Sequence, residues 1–208
     1  MAYPISRFTL LPLLRFYTRS VSGLEYIPYK GPFILACHHT SPLDGAFIAA
    51  AVINKINRKI RFITRIAPWG WLWKKIVAEW WGGCIPFDSN NRQQCLNVAN
   101  KYLHKGRIVG IFPGGILEES DMDNNRGKTG VARLALWSKV PVIPVGLYNH
   151  QSRRLKSIIV KHLTNPHYLR ITIGEPMTFP EAYDKPITHE LLRDLTSQII
   201  NRVLELSK

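Results

Sequence analysis

Apolar residues along the chain fall into short continuous runs, separated by stretches with helical spacing. The clearest run is Phe33-Ile34-Leu35-Ala36-Cys37, which follows Gly31-Pro32. Five apolar residues without a polar interruption predict a strand buried on both faces of a parallel sheet. Similar runs predict strands over 61–65, 84–87, 107–112, 140–147, 157–161 and 168–173. Helical spacing covers 46–53, 91–104, 129–139 and 188–206, and Lys105-Gly106 reads as the end of the second of these. Strands alternating with helices predict an α/β fold with a mostly parallel central sheet flanked by helices. No internal repeat or linker interrupts the chain, and one domain over 1–208 is expected.

Two segments depart from this alternation. Residues 4–20 mix Phe8, Leu10, Leu11, Leu13, Leu14, Phe16 and Tyr17 with Arg7, Arg15 and Arg19. Pro12 interrupts them, so a kinked helix or two short turns is expected. As an amphipathic segment over 1–20 it suits a lipid interface, or alternatively it packs on the domain. Residues 67–83 hold Trp69, Trp71, Trp73, Trp80 and Trp81, five of the six tryptophans. An indole has an apolar body and an N–H that wants a polar partner, so part of this cluster is expected to face lipid or an acyl chain.

Charge narrows the partners. Lys and Arg number 28 against 14 acidic residues, a formal net charge of +14. That balance favours an anionic partner such as a phospholipid surface, a phosphorylated substrate or an acidic protein. Nucleic acid is set aside because no recognised nucleic-acid motif is present. Cys37, Cys84 and Cys95 lie in or beside apolar runs and are expected to be reduced, buried thiols. There is no zinc-like Cys/His spacing, so no metal is expected. No secretory leader is read, and no uncharged window is long enough to cross a bilayer.

The candidate chemistry sits where the central strand ends. His38-His39-Thr40-Ser41-Pro42-Leu43-Asp44-Gly45 follows Cys37 directly, and an apolar helical stretch follows Gly45. Pro42 prevents a smooth helical start, so a turn is expected, with Asp44 suited to cap the helix. The carboxyl end of a strand is where ligands bind in open α/β sheets. Across that turn Asp44 could hold one nitrogen of His39 and leave the other free to take a proton. His189 and Asp194 repeat the same spacing within a helical pattern. Five residues turn a helix through about 500°, which leaves those two side chains about 140° apart. Pro113-Gly114-Gly115, after the apolar run 107–112, reads on spacing alone as an ordinary turn, or else as backbone amides open to an anion or a developing oxyanion.

Several segments together resemble the glycerolipid acyltransferase family. The family's first block, Asn-His-x-Ser-x-x-Asp, is matched by His38 to Asp44, with His38 in place of Asn. Gly83-Cys84-Ile85-Pro86-Phe87-Asp88 is similar to the second block, although its closing Arg is Ser89 here and Arg92 is the nearest cation. Phe112-Pro113-Gly114-Gly115-Ile116-Leu117-Glu118 is similar to the third, usually Phe-Pro-Glu-Gly-Thr-Arg-Ser. Val140-Pro141-Val142-Ile143-Pro144-Val145 matches the fourth. Lys128 to Ala135 resembles the family's Lys-x-Gly helix start. The likeness covers roughly residues 22–148.

The resemblance implies an O-acyltransferase that moves a fatty acyl group from acyl-CoA or acyl carrier protein to a hydroxyl of a lysophosphatidic acid-like glycerolipid. His39 would be the general base and Asp44 its orienter. Ser41, Arg65, Gly114, Gly115, Arg126 and Lys128 would contact substrate. No cofactor beyond the thioester substrate is implied, and the protein would sit peripherally on the cytoplasmic face of a membrane. The third block lacks the family's Glu and Arg, which help bind the acceptor. Either the acceptor is a different lyso-phospholipid or a lipid without phosphate, or Arg65, Arg126 and Lys128 hold its anion instead. A non-catalytic lipid-binding protein at the membrane surface is the remaining alternative.

Overall fold

The computed structural model describes residues 10–39, 41, 43–64, 83–88, 90–114, 127–148 and 169–208. Helices α1 (Leu10–Phe16), α2 (Asp44–Ile56), α3 (Arg92–His104), α4 (Gly130–Ser138) and α5 (His189–Glu205) alternate with strands. The strands are β1 (Thr18–Ser22), β2 (Phe33–Cys37), β3 (Ile60–Thr64), β4 (Ile85–Pro86), β5 (Ile108–Ile111), β6 (Val142–Tyr148) and β7 (Leu169–Ile173). Among the described residues they form a seven-stranded sheet in the order β1-β7-β6-β2-β5-β3-β4. Neighbours from β6 to β4 pair in parallel, and β1 pairs in parallel with β7. The β6–β7 ladder is antiparallel, so the β1–β7 edge runs against the rest.

Alternation along β2 divides the interior in two. Phe33, Leu35 and Cys37 point into one core, which α2 covers with Phe47, Ile48, Val52 and Ile53. Ile34 and Ala36 point into a second core, filled from α3, α4 and α5 by Ala99, Leu103, Val131, Leu134, Leu195 and Ile199. A strand covered on both faces needs an apolar residue at every position, and all five residues of β2 are buried.

Polar residues set the helix ends. Asn91 caps α3 by accepting the Gln94 backbone N–H at 3.2 Å. Thr188 caps α5 by accepting that of Leu191 at 3.1 Å. Each satisfies one of the donors that a helix start leaves without an intrahelical partner. Leu206, which follows the last residue of α5, lies against β6 at Gly146, where a Cβ would meet its carbonyl carbon at 2.2 Å. A residue without a side chain is what lets the two backbones approach so closely.

The N-terminal region differs from expectation. Residues 4–9 lie outside the described residues; Leu10–Phe16 is helical, and Thr18–Ser22 joins the sheet as an edge strand instead of continuing that segment. Pro12 lies within α1, and the helix continues from it to Phe16. The tryptophan cluster, the 157–161 strand and the turn residue Pro42 lie outside the described residues.

Candidate active site

The site begins where β2 leaves the sheet. The His38 backbone N–H still donates to Val145 O of β6 at 2.9 Å, so His39 is the first residue beyond the ladder. His38 turns inward, and its Nδ1–H donates to Leu147 O at 3.2 Å. His39 turns outward, and its Nδ1–H donates to Asp44 Oδ2 at 3.2 Å. A carboxylate can only accept, so this bond assigns the proton to Nδ1 and the lone pair to Nε2. The His39 side chain keeps 17% of its surface exposed, whereas that of Asp44 keeps 1%.

Asp44 is placed by a network rather than by a cap. The same Oδ2 accepts the Ser41 backbone N–H at 2.6 Å, and the Asp44 N–H donates to Ser41 O at 3.0 Å. Asp44 is the first residue of α2; the capping position is Leu43, which makes no side-chain cap bond. This corrects the expected N-cap: the carboxylate is occupied by the turn and by His39. Ser41 is itself buried, and its Oγ accepts the Leu43 N–H at 3.3 Å. The structure therefore places Ser41 inside the turn, where it shapes the loop that carries Asp44.

Around the imidazole, β3 and the residue that follows β5 supply aromatic rings. Phe112 stacks on His39 with centroids 4.3 Å apart and planes inclined at 29°. Phe62 stacks in turn on Phe112 at 5.5 Å and 17°. Beyond them a cavity of about 10 Å³ is lined by Cys37, His38, His39, Pro113, Gly114, Ile200, Val203 and Leu204. That is about the room one water molecule needs. The third block thus meets the first, since Pro113 and Gly114 share this cavity with His39.

Lys128 is drawn to the same place through its backbone. Its N–H donates to Pro113 O at 2.8 Å, and its ammonium lies 5.7 Å from the centre of the Phe87 ring. Arg193 of α5 donates to Gly127 O at 2.8 Å, which straps this segment to the helix. Arg65, Gly115 and Arg126 lie outside the described residues.

Burial depresses the pKa of His38 below its ordinary value of 6.5, keeping it neutral at pH 7. The Cys37 thiol is pushed well up by burial, with the Asp44 carboxylate adding to the effect. A thiol in that state is a poor nucleophile, so the cavity offers no thiolate for covalent catalysis. The second His/Asp pair is not assembled: Asp194 accepts from Gln198 Nε2 at 3.0 Å, one turn along α5. Among the described residues no cluster of His, Cys, Asp and Glu could hold a metal ion.

Sequence reasoning missed two contributors. Ile200, Val203 and Leu204 of α5 wall the cavity, although α5 lies outside the resembling stretch. Its apolar spacing announced a buried face without saying what that face covers. Phe112 was legible as a strand end, but a ring packing on the imidazole is a tertiary fact with no local signal.

Comparison with known proteins identifies the family. Residues 18–148 match the family model Acyltransferase. The chain is 28% identical over 192 residues to 1-acyl-sn-glycerol-3-phosphate acyltransferase of Bacillus subtilis, covering 89% of this chain and 86% of that protein. It is 24% identical over 212 residues to a human protein named DGAT1/2-independent enzyme synthesizing storage lipids, covering 89% of this chain and 60% of the relative. In fold it is similar to the crystal structure of the 1-acyl-sn-glycerophosphate acyltransferase PlsC from Thermotoga maritima. That likeness has a TM-score of 0.58 at 19% identity and covers 96% of this chain and 81% of the other. With the family model spanning more than half its length, the chain belongs to the Acyltransferase family and is a glycerolipid O-acyltransferase.

Proposed function

We propose that the protein transfers a fatty acyl group from acyl-CoA or acyl carrier protein to the free hydroxyl of a lysophosphatidic acid-like glycerolipid. The observation that carries this reading is the His39–Asp44 bond at the carboxyl end of the central strand. His39 Nε2 takes the proton of the acceptor hydroxyl while Asp44 holds the opposite nitrogen and balances the charge that forms. The oxygen attacks the thioester carbonyl. The tetrahedral intermediate collapses with loss of the C–S bond, and the leaving thiolate takes the proton back from His39. Backbone amides near Gly114 and Gly115 are the candidate oxyanion donors. One such donor is worth about 3 to 4 kcal/mol in other enzymes.

The cavity beside His39, about 10 Å³, has room for a reacting oxygen and not for an acyl chain, and the chain is proposed to reach the imidazole from its exposed side. Lys128, with Arg65 and Arg126, is proposed to hold the acceptor's anionic head. The name of the Bacillus relative supports a phosphate-bearing acceptor. A second reading keeps the chemistry and changes the acceptor to another lyso-phospholipid or to a lipid without phosphate. It is favoured by Gly114 and Leu117, which stand where the family's charged residues do.

Docking from the cytoplasmic face of a membrane completes the proposal. The β1–β7 and β6–β7 registers put the start of β1, and so the end of α1, at the same end of the sheet as His39. There Leu13 and Phe16 are each 53% exposed, beside Arg15. Apolar side chains next to a cation suit a phospholipid interface. Among the described residues no helix is long and apolar enough to cross a membrane.

The test is thiol release by purified protein from an acyl thioester, with a panel of acceptors. Lysophosphatidate should be preferred over neutral monoacylglycerol and lysophosphatidylcholine. Preference for either of the latter would establish the second reading, and no acyl transfer to any lipid hydroxyl would overturn both.

A further inference from the structure

Two phenylalanine rings and a strand glycine line up beside the His39 ring. Phe62 of β3 and Gly110 of the buried strand β5 are register partners. A Cβ at Gly110 would lie 2.4 Å from two carbons of the Phe62 ring. A glycine inside a buried strand weakens it, and marks a place where something must approach closely. Here the thing that approaches is the Phe62 ring. That ring lies 5.5 Å from Phe112 and nearly parallel to it, and Phe112 lies 4.3 Å from the imidazole. The order Gly110, Phe62, Phe112, His39 therefore runs from the sheet interior to the site.

We propose that Phe112 is a positioning residue for acyl transfer, fixing the plane of the His39 ring, and that Phe62 seated over Gly110 fixes Phe112. This rests on the reading of His39 as general base. The bond to Asp44 holds a single nitrogen and leaves the ring able to pivot about the N–H···O direction. A second restraint is needed to aim Nε2 at a bound hydroxyl, and a flat ring stacked on the imidazole face supplies it. The same face also suits the protonated ring, because a cation over an aromatic face is attracted by its quadrupole. The column thus acts after proton transfer as well as before it.

Phe112→Leu removes the flat face and retains the bulk, whereas Phe112→Tyr retains the face. The Leu variant should lose about 10- to 100-fold in kcat, with KM for donor and acceptor within about twofold of wild type. The Tyr variant should keep most of the activity. Proton NMR gives a readout independent of catalysis. The His39 ring C–H resonances, assigned by their absence in His39→Ala, should be shifted upfield by the ring current in wild type and Phe112→Tyr, but not in Phe112→Leu. The same Leu/Tyr comparison at Phe62 serves if Phe112→Leu does not fold. Wild-type kcat in a folded Phe112→Leu protein, or a loss confined to KM, overturns the proposal. Full activity of His39→Ala would instead overturn the general-base reading, and the ring-current result would still decide whether the stack exists in solution.

Discussion

Replacing Asp44 by Asn isolates the contribution of its charge. Asn has nearly the same size and can place its carbonyl oxygen where Oδ2 now accepts both the Ser41 N–H and the His39 Nδ1–H. The turn and the tautomer can therefore survive while the negative charge is lost. A general base begins its cycle without the proton, so the charge matters little to substrate binding. It matters once the imidazole takes a proton. At 3.2 Å and an effective dielectric of about 20, the attraction between imidazolium and carboxylate is about 5 kcal/mol. A screening discount is small here, because Asp44 is fully buried and the His39 side chain is only 17% exposed. With about 1.4 kcal/mol per tenfold in rate, Asp44→Asn should lower kcat by about 10³- to 10⁴-fold while KM changes little. The assay is steady-state thiol release with saturating donor, beside a thermal melt to show that the variant is folded. A folded Asn variant with less than about a tenfold loss would refute the argument and reduce Asp44 to a tie within the turn.

Two further expectations follow from burial and exposure. His38 is neutral in the folded state with a pKa lowered by burial, whereas unfolded it titrates near 6.5. The unfolded state therefore binds the proton first, so stability is intact above that pH and falls as pH drops toward the folded value. His38→Asn keeps a donor for Leu147 O and should flatten this dependence; urea melts at pH 5.5 and 7.5 that differ as much as in wild type would contradict it. Leu13→Ser with Phe16→Ser removes the exposed apolar pair of α1 and should weaken binding to anionic vesicles by about tenfold or more. Unchanged sedimentation with vesicles would remove α1 from the docking face.

The parts of this fold that were legible in the sequence are those fixed by local rules. Strand β2 announced itself because a strand covered on both faces has no room for a polar residue. Helices α3 and α5 began at Asn91 and Thr188 because those side chains satisfy exposed helix N–H groups. His39 and Asp44 could be paired because they are close in sequence and a turn between them was readable. What escaped depends on distant partners. Thr18–Ser22 alternates little and is half exposed, so only its pairing with β7 makes it a strand. Asp44 had the residue type of a cap, yet His39 and Ser41 compete for its carboxylate and win. The wall that α5 builds against the cavity comes from residues more than 150 positions away from His39. No periodicity in α5 says which surface it will cover.

The central claim is that one imidazole, chosen by its fold position, carries the proton in acyl transfer. The most direct measurement is thiol release from an acyl thioester with lysophosphatidate, comparing wild type with His39→Ala and His189→Ala at matched fold integrity. His39→Ala should lose transfer by at least about 10³-fold while His189→Ala stays near wild type. Equal activity in the two variants, whether both retained or both lost, would contradict the assignment of the base to the end of β2.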